Sequence, residues 1–393
     1  MINKEAKVTR ETTLSIVALS LARFVTQPMT LISGLLLIDI ANSFNVSVGI
    51  AGQIRTVAAF SEMIFALIMG ALAIRYRYKR LLLTGLILIT ISSIGSSLAP
   101  SLTLLIFLYP LSGIGIAMIG PMTLTLVGEY FPEEKRTYIV GLMVGILAAS
   151  YTIGAPIVSY ISGNGDWRLP MRWYAFPLAS AALIAVLLLI PSKEHENMTQ
   201  NKADVFSGYR RLISEKSALA CLLGGALYMA AQVIPLSFGS SYLRQIVGVS
   251  TNIAALAVIL NSFSYIVGSL VSGKIIETVG GTRTAWLCAL MMSGSYFVAY
   301  SLTNLLLVVS FSVCGYLFGG VLYATSNSLA VEQVPSIRAT MMSAFIAIVA
   351  LGNTVGNSVG GFSLASYGYG SLRFILVVFG LMCAVINAFF IKD

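Results

Sequence analysis

Two ionisable side chains, Arg23 and Glu62, stand in the middle of long apolar stretches. A charge at that depth in a bilayer is costly and marks a functional position by default. A carboxylate there can take up and release a proton, since burial favours the neutral acid and a neighbouring guanidinium favours the anion. Two readings are open. The pair is a constitutive ion pair that fixes two helices, or Glu62 alternates between a proton and a partner, either Arg23 or a cationic substrate. A buried ion pair adds little net stability once desolvation is counted, which favours the second reading. Uncharged polar residues on other apolar stretches are candidates to line a cavity: Gln27, Thr30, Tyr151, Tyr228, Gln232, Asn261, Tyr265, Tyr323, Asn327, Asn353 and Asn357. Asn353 and Asn357 are four apart and share a helix face. Such amides and phenols bind small organic molecules loosely, with Met29, Met118 and Met122 as an adaptable apolar wall. For any one of them a hydrogen bond between helices is the competing role.

The elements that carry these residues follow from composition. The chain has 393 residues, 57% hydrophobic and 10% charged, with a mean hydropathy of +0.89. Soluble domains carry about 25% charged residues. A secreted domain, a nucleic-acid binder and a soluble enzyme are thereby excluded, and the chain reads as a polytopic membrane protein. Apolar runs bounded by charges or turn residues give twelve spans: 12–38, 48–74, 80–98, 102–128, 137–162, 172–191, 217–243, 250–273, 283–301, 304–330, 339–364 and 371–391. Backbone groups in lipid must bond within their own segment, so the spans are helices, and barrel strands would be about half as long. Arg23 then lies on the order of 15 Å deep and Glu62 roughly 18 Å from the same face, at 1.5 Å per residue. Both are near the centre of a layer about 30 Å thick.

Residues 192–216 are hydrophilic and hold the one histidine, His195, which reads as a solvated loop residue. They divide the chain into a first half, 1–191, and a second, 217–393. Most of the 24 Lys and Arg fall on one side of the spans; Arg55, Arg168, Arg172, Arg244 and Arg373 fall on the other. The excess places both termini and the linker in the cytoplasm. On the outer side Asp39 and Asp166 read as solvated or capping groups. The four cysteines lie within spans as small hydrophobes, with no disulfide or metal spacing.

The halves repeat. Glu129-Tyr-Phe-Pro132-Glu-Glu-Lys-Arg136 in the first is echoed by Glu332-Gln-Val-Pro335-Ser-Ile-Arg338 in the second, and Gly70 by Gly273, at an offset of 202 or 203. Two like halves of six helices place a binding site near mid-membrane.

Twelve spans, a six-plus-six repeat and a charged linker resemble the major facilitator superfamily, over essentially the whole chain. The loop after span two, Gly70-Ala-Leu-Ala-Ile74-Arg75-Tyr-Arg77-Tyr-Lys79-Arg80, resembles the family's cytoplasmic latch signature, with Ile74 at the acidic position. Its second copy runs from Gly273 through Glu277 to Arg283. The resemblance implies a latch set of Gly70, Arg75, Lys79, Arg80, Glu129, Gly273, Glu277, Arg283, Glu332 and Arg338. Gly145, Gly154 and Pro156 in span five resemble the glycine-rich antiporter signature, with Ala155 in place of its pre-proline glycine. The fourth-span signature R-x-x-Q-G survives only as Gly113, with Tyr109 at the arginine position, and Arg23 is the candidate stand-in. The nearest branch is the drug:proton antiporters and sugar exporters, diverged.

The resemblance implies an all-α major facilitator fold of two pseudo-symmetric six-helix bundles and a secondary active transporter working by rocker-switch alternating access. The expected activity is proton-coupled export of small, mostly apolar or cationic organic compounds, with Glu62 carrying the proton and Arg23 as counter-charge. The alternative is an importer or uniporter of a small, anionic metabolite bound by Arg23. A membrane sensor on a transporter scaffold is a third reading, opposed by the short loops. The expected partners are protons, a small-molecule substrate and the lipid bilayer of the plasma membrane, with the chain monomeric. No nucleophile–base set, metal cluster or phosphate loop appears, so neither enzymatic activity nor a cofactor is expected.

Overall fold

The computed structural model describes residues 2–131, 133–163, 166–191, 212, 214–334 and 338–391. Most of the linker, with His195, and the repeated prolines Pro132 and Pro335 lie outside them. Among the described residues every regular element is helical. Eleven helices are long and apolar enough to cross a membrane: Thr13–Leu35, Val48–Met69, Tyr78–Ser97, Leu102–Tyr130, Gly145–Ser162, Arg168–Leu189, Lys216–Val247, Thr251–Val279, Leu305–Gln333, Met341–Tyr367 and Tyr369–Phe389. These are spans one to eight and ten to twelve. Span nine is the helix Gly281–Ala299 of 19 residues. It carries Thr282, Arg283, Thr284, Ser293 and Ser295, which makes it less apolar, and it packs against spans ten and twelve.

The chain forms two units. Unit 1 is Met1–Ser33 with Phe60–Met198, and unit 2 is Gly34–Ala59 with Thr199–Asp393. In unit 1, span three packs on spans four and six, and span one on spans five and six. Leu19, Leu82, Leu86, Ile89, Ile119 and Val186 fill the core between them. Lipid tails are as apolar as leucine, so close contact of small residues rather than burial from water drives such packing. Ser92, Ser93, Ser96 and Ser97 of span three are buried accordingly. A Cβ on Gly115 of span four would stand 2.6 Å from the carbonyl oxygen of Gly85. At the end of span six, the Lys79 ammonium donates to the carbonyls of Leu187 (3.0 Å) and Ile190 (2.5 Å). The Tyr130 hydroxyl donates to that of Pro191 at 2.6 Å. Carbonyls left without helical donors at a C-terminus are thus satisfied.

Unit 2 is built on glycine crossings. A Cβ on Gly320 of span ten would run into the Tyr265 carbonyl of span eight, and one on Gly268 into that of Leu317. On span eleven, Gly352 and Gly356 admit the backbone of span seven at Ala226 and Ala230. The short helix Val48–Ala51 lies on span eleven, where Gly49 meets the carbonyl of Gly361. These contacts leave no room for a methyl group. Gly320→Ala is expected to cost about 1–3 kcal/mol by overpacking, read as a lower melting temperature in detergent. Gly145→Ala, where nothing lies within 4 Å, should melt no lower than the unaltered chain.

Candidate functional site

Span one breaks in mid-course into the helices Ile2–Phe24 and Pro28–Leu35. Pro28 has no N–H, so the Phe24 carbonyl loses its helical donor. Ser150 of span five donates to that carbonyl at 3.0 Å. The Arg23 carbonyl accepts from the Thr26 hydroxyl at 2.8 Å, and the Gln27 amide donates to Thr26 Oγ1 at 3.1 Å. Tyr109, buried in span four, donates to the Met29 carbonyl at 2.5 Å. Polar backbone opened within a membrane is tolerated where protein groups satisfy it. The opened turn carries Arg23 and Gln27, with Thr30 one turn beyond and Tyr151 beside Ser150.

The Arg23 guanidinium reaches span four, its Nη1 3.0 Å from where a Cβ on Gly120 would stand. Glu62 lies on the helix Gln53–Arg75, partly exposed. It makes no hydrogen bond and no ion pair within 4 Å among the described residues, and Arg23 acts on it electrostatically through space. Its neighbour Ser61 donates to the Pro110 carbonyl at 2.9 Å, which ties span two to span four. Of the glycine pair in span five, Gly154 packs against Leu31 and the Tyr174 hydroxyl, while Gly145 faces open space and Pro156 is exposed.

In unit 2 the hydroxyls of Tyr228 and Tyr265 are 3.0 Å apart. The Tyr323 ring lies 6.3 Å from that of Tyr228 and 6.1 Å from that of Tyr265. Gln232 accepts from the Tyr296 hydroxyl at 3.0 Å. Asn357 accepts from Ser237 of span seven at 2.6 Å and donates to Asn353 at 2.9 Å, so its amide joins two helices. Asn327 donates to the Tyr323 carbonyl of its own helix. The Asn261 Oδ1 atom is buried without a hydrogen bond.

The latch residues are not drawn into one network among the described residues. Lys79 is bound to the end of span six, and Arg75 and Arg80 are exposed. Glu277 and Arg283 are exposed and form no ion pair. Glu332 accepts from Ser328 at 3.3 Å, Gly273 faces open space and Glu129 is exposed. The surroundings of Gly70 and the side chain of Arg338 lie outside the described residues.

One feature corrects the sequence reading and a second adds to it. Asp39, expected to be a solvated or capping group, forms a bidentate ion pair with Arg244: Nη1–Oδ2 2.5 Å and Nη2–Oδ1 2.9 Å, with Nη1 also 3.3 Å from the Leu35 carbonyl. The two side chains are 10% and 14% exposed. Arg55, which the sequence only assigns to a side of the spans, is buried in a helix with its Nη1 3.0 Å from where a Cβ on Gly34 would stand. Asp166 does cap, accepting from the Arg168 N–H at 3.0 Å. The partners Asp39 and Arg244 are 205 residues apart, so only their common placement on the outer side connects them in the sequence.

The sequence model of the major facilitator superfamily matches residues 19–239 and 220–393. The chain belongs to the major facilitator superfamily. It is a multi-pass membrane transporter with small-molecule cargo, as the family's members are. It is 24% identical to the uncharacterized MFS-type transporter YceJ of Bacillus subtilis (strain 168) over 323 residues, 82% of each chain. Its fold is similar to that of a D-xylose–proton symporter, with a TM-score of 0.81 at 16% identity over 97% of this chain and 98% of that one. It is also similar to a bacterial homologue of the human lysosomal transporter Spinster, inward-facing and unoccupied, with a TM-score of 0.70 at 16% identity over 97% and 95%. Tyr109 of span four holds the helix Pro28–Leu35 of span one at Met29, next to the break.

Breaking the bidentate pair leaves one charge in a largely buried place, a loss of about 3–5 kcal/mol for a fully buried pair and less here. Arg244→Ala is expected to lower the melting temperature of the purified facilitator. The charge-reversed double variant Asp39→Arg with Arg244→Asp should recover at least half of the loss.

Proposed function

We propose that this transporter exports small, mostly apolar or cationic organic compounds in exchange for protons by rocker-switch alternating access, with Glu62 as the proton carrier and Arg23 as its counter-charge. The observation that carries the reading is the state of Glu62. It is a mid-span carboxylate within the electrostatic reach of Arg23 yet closed into no ion pair or hydrogen bond among the described residues. A constitutive structural bridge would show contact within 4 Å. An acid that must bind a proton in one state and release it in another needs a counter-charge at a distance. The Pro28 break supports this reading, since it opens span one at the turn that bears Arg23. Within the reading, Arg23 takes the part of the missing fourth-span arginine. The glycine positions of span five serve packing at Gly154, and both termini face the cytoplasm of a plasma-membrane monomer.

A second reading has one observation in its favour. The Arg23 guanidinium lies against Gly120, a position without a side chain, which leaves space for a small anion on an importer or uniporter.

Proteoliposomes with an internal pH dye separate the two. Adding a lipophilic organic cation should drive proton movement that falls roughly tenfold or more in Glu62→Gln, the scale of losing a proton-transfer group. Arg23→Lys should retain part of it. Substrate flux that continues unchanged in Glu62→Gln, with competition by organic anions, would leave the anion reading standing instead.

A further inference from the structure

The internal repeat links the two candidate clusters. Glu62 stands eight residues before Gly70, and Tyr265 eight before Gly273, its repeated counterpart. Gly120 stands nine before Glu129, and Tyr323 nine before Glu332. Each stretch lies within one unbroken helix, so no loop shifts the register. The places taken in unit 1 by Glu62 and by the glycine under Arg23 are therefore taken in unit 2 by two phenols. Unit 1 keeps charge at these positions, and unit 2 replaces it with aromatic rings.

The rings form one cluster. Tyr323 lies 6.1 Å from Tyr265 and 6.3 Å from Tyr228, tilted at 39° and 38°, and the hydroxyls of the last two meet at 3.0 Å. The crossing at Gly268 and Gly320 explains their approach, since each glycine lies one turn from its tyrosine and lets spans eight and ten touch through their backbones. Tyr228 is buried, but Tyr323 is 36% exposed. At about 100° per residue, Tyr323 points roughly 180° away from Cys314 and about 160° from Leu307, the exposed outer stripe of the same helix. Its exposure is thus on the inner face of span ten. Asn261, one turn before Tyr265, adds a carbonyl oxygen that has no donor. No charged side chain among the described residues acts electrostatically on Tyr228 or Tyr265; Arg244 is paired with Asp39 and Arg373 stacks on Phe374.

We propose that Tyr228, Tyr265 and Tyr323 form the cargo subsite of unit 2, and that it takes a bulky organic cation with delocalised charge. The electron-rich faces of three phenols and an amide oxygen attract positive charge. No carboxylate among the described residues acts on Tyr228 or Tyr265 to offset the lost hydration of a compact ammonium, so a strongly hydrated cation is disfavoured. A cation whose charge is spread over rings loses little hydration and gains ring stacking. This assignment narrows the cargo class of the export reading and rests on it, but binding is measured without transport.

The test is equilibrium dialysis of the purified full chain in detergent against labelled tetraphenylphosphonium, with neutral triphenylphosphine oxide and anionic tetraphenylborate as shape controls. Saturable binding of the cation is expected, weaker by about tenfold in Tyr323→Ala and changed by less than about threefold in Tyr323→Phe, which keeps the ring. No saturable binding of the cation, or equal affinity for either control, would overturn the cation assignment. Undiminished binding in a Tyr323→Ala variant with unchanged melting temperature would overturn the location. Tyr323-dependent binding without any Glu62-dependent proton flux would sink the antiport reading and leave the subsite intact.

Discussion

The break in span one at Pro28 is the constraint on which the geometry of unit 1 depends. A missing N–H in an apolar layer cannot be made good by bulk water, so other helices must supply donors. Ser150 comes from span five and Tyr109 from span four, and together they fix the orientation of the opened turn. Arg23 sits at the end of that turn and reaches Gly120, where the lack of a side chain leaves room for a guanidinium. Arg23 lies in the last turn of the helix Ile2–Phe24, just before the break.

The fold was legible because its signals are long and redundant. Runs of some twenty apolar residues, charge confined to loops and a repeat at constant offset all pointed to one architecture. Span nine is the weakest of them, since Arg283 and several hydroxyl-bearing residues dilute its hydropathy, yet its bounded apolar run still placed it. The site was legible only where it broke a rule. Glu62 and Arg23 stood out as charges in apolar runs. The phenols and amides did not, because a buried polar side chain in a membrane helix either binds cargo or bonds to a neighbour, and sequence does not say which. Asn357 proved to bond with Ser237, and Asn327 with its own helix. The pairing of Asp39 with Arg244 was out of reach, since each is ordinary alone and only tertiary structure brings them together.

Divergence between the halves has a steric origin that the offset exposes. Positions matching Gly268 and Gly320 are Phe65 and Ala117. Where unit 2 has two glycines and a backbone crossing, unit 1 has an aromatic ring and a methyl group. Both units keep one hydrogen bond at matching places, from Ser61 to the Pro110 carbonyl in unit 1 and from Ser264 to the Val313 carbonyl in unit 2. At the matching places unit 2 has the rings of Tyr265 and Tyr323, and unit 1 has Glu62 and the glycine beside Arg23.

A single carboxylate at mid-span also sets a limit on work. In the proposed exchange one such group would carry one proton per cycle, and a proton moving down a gradient of one pH unit releases about 1.4 kcal/mol. An exchange of one proton for one monovalent cation moves no net charge, so the membrane voltage contributes nothing to it. The steepest cargo gradient such a cycle can sustain is then about tenfold for each pH unit. Under that proposal the exchange would suit steady clearance of compounds that leak back slowly rather than their concentration against a steep gradient.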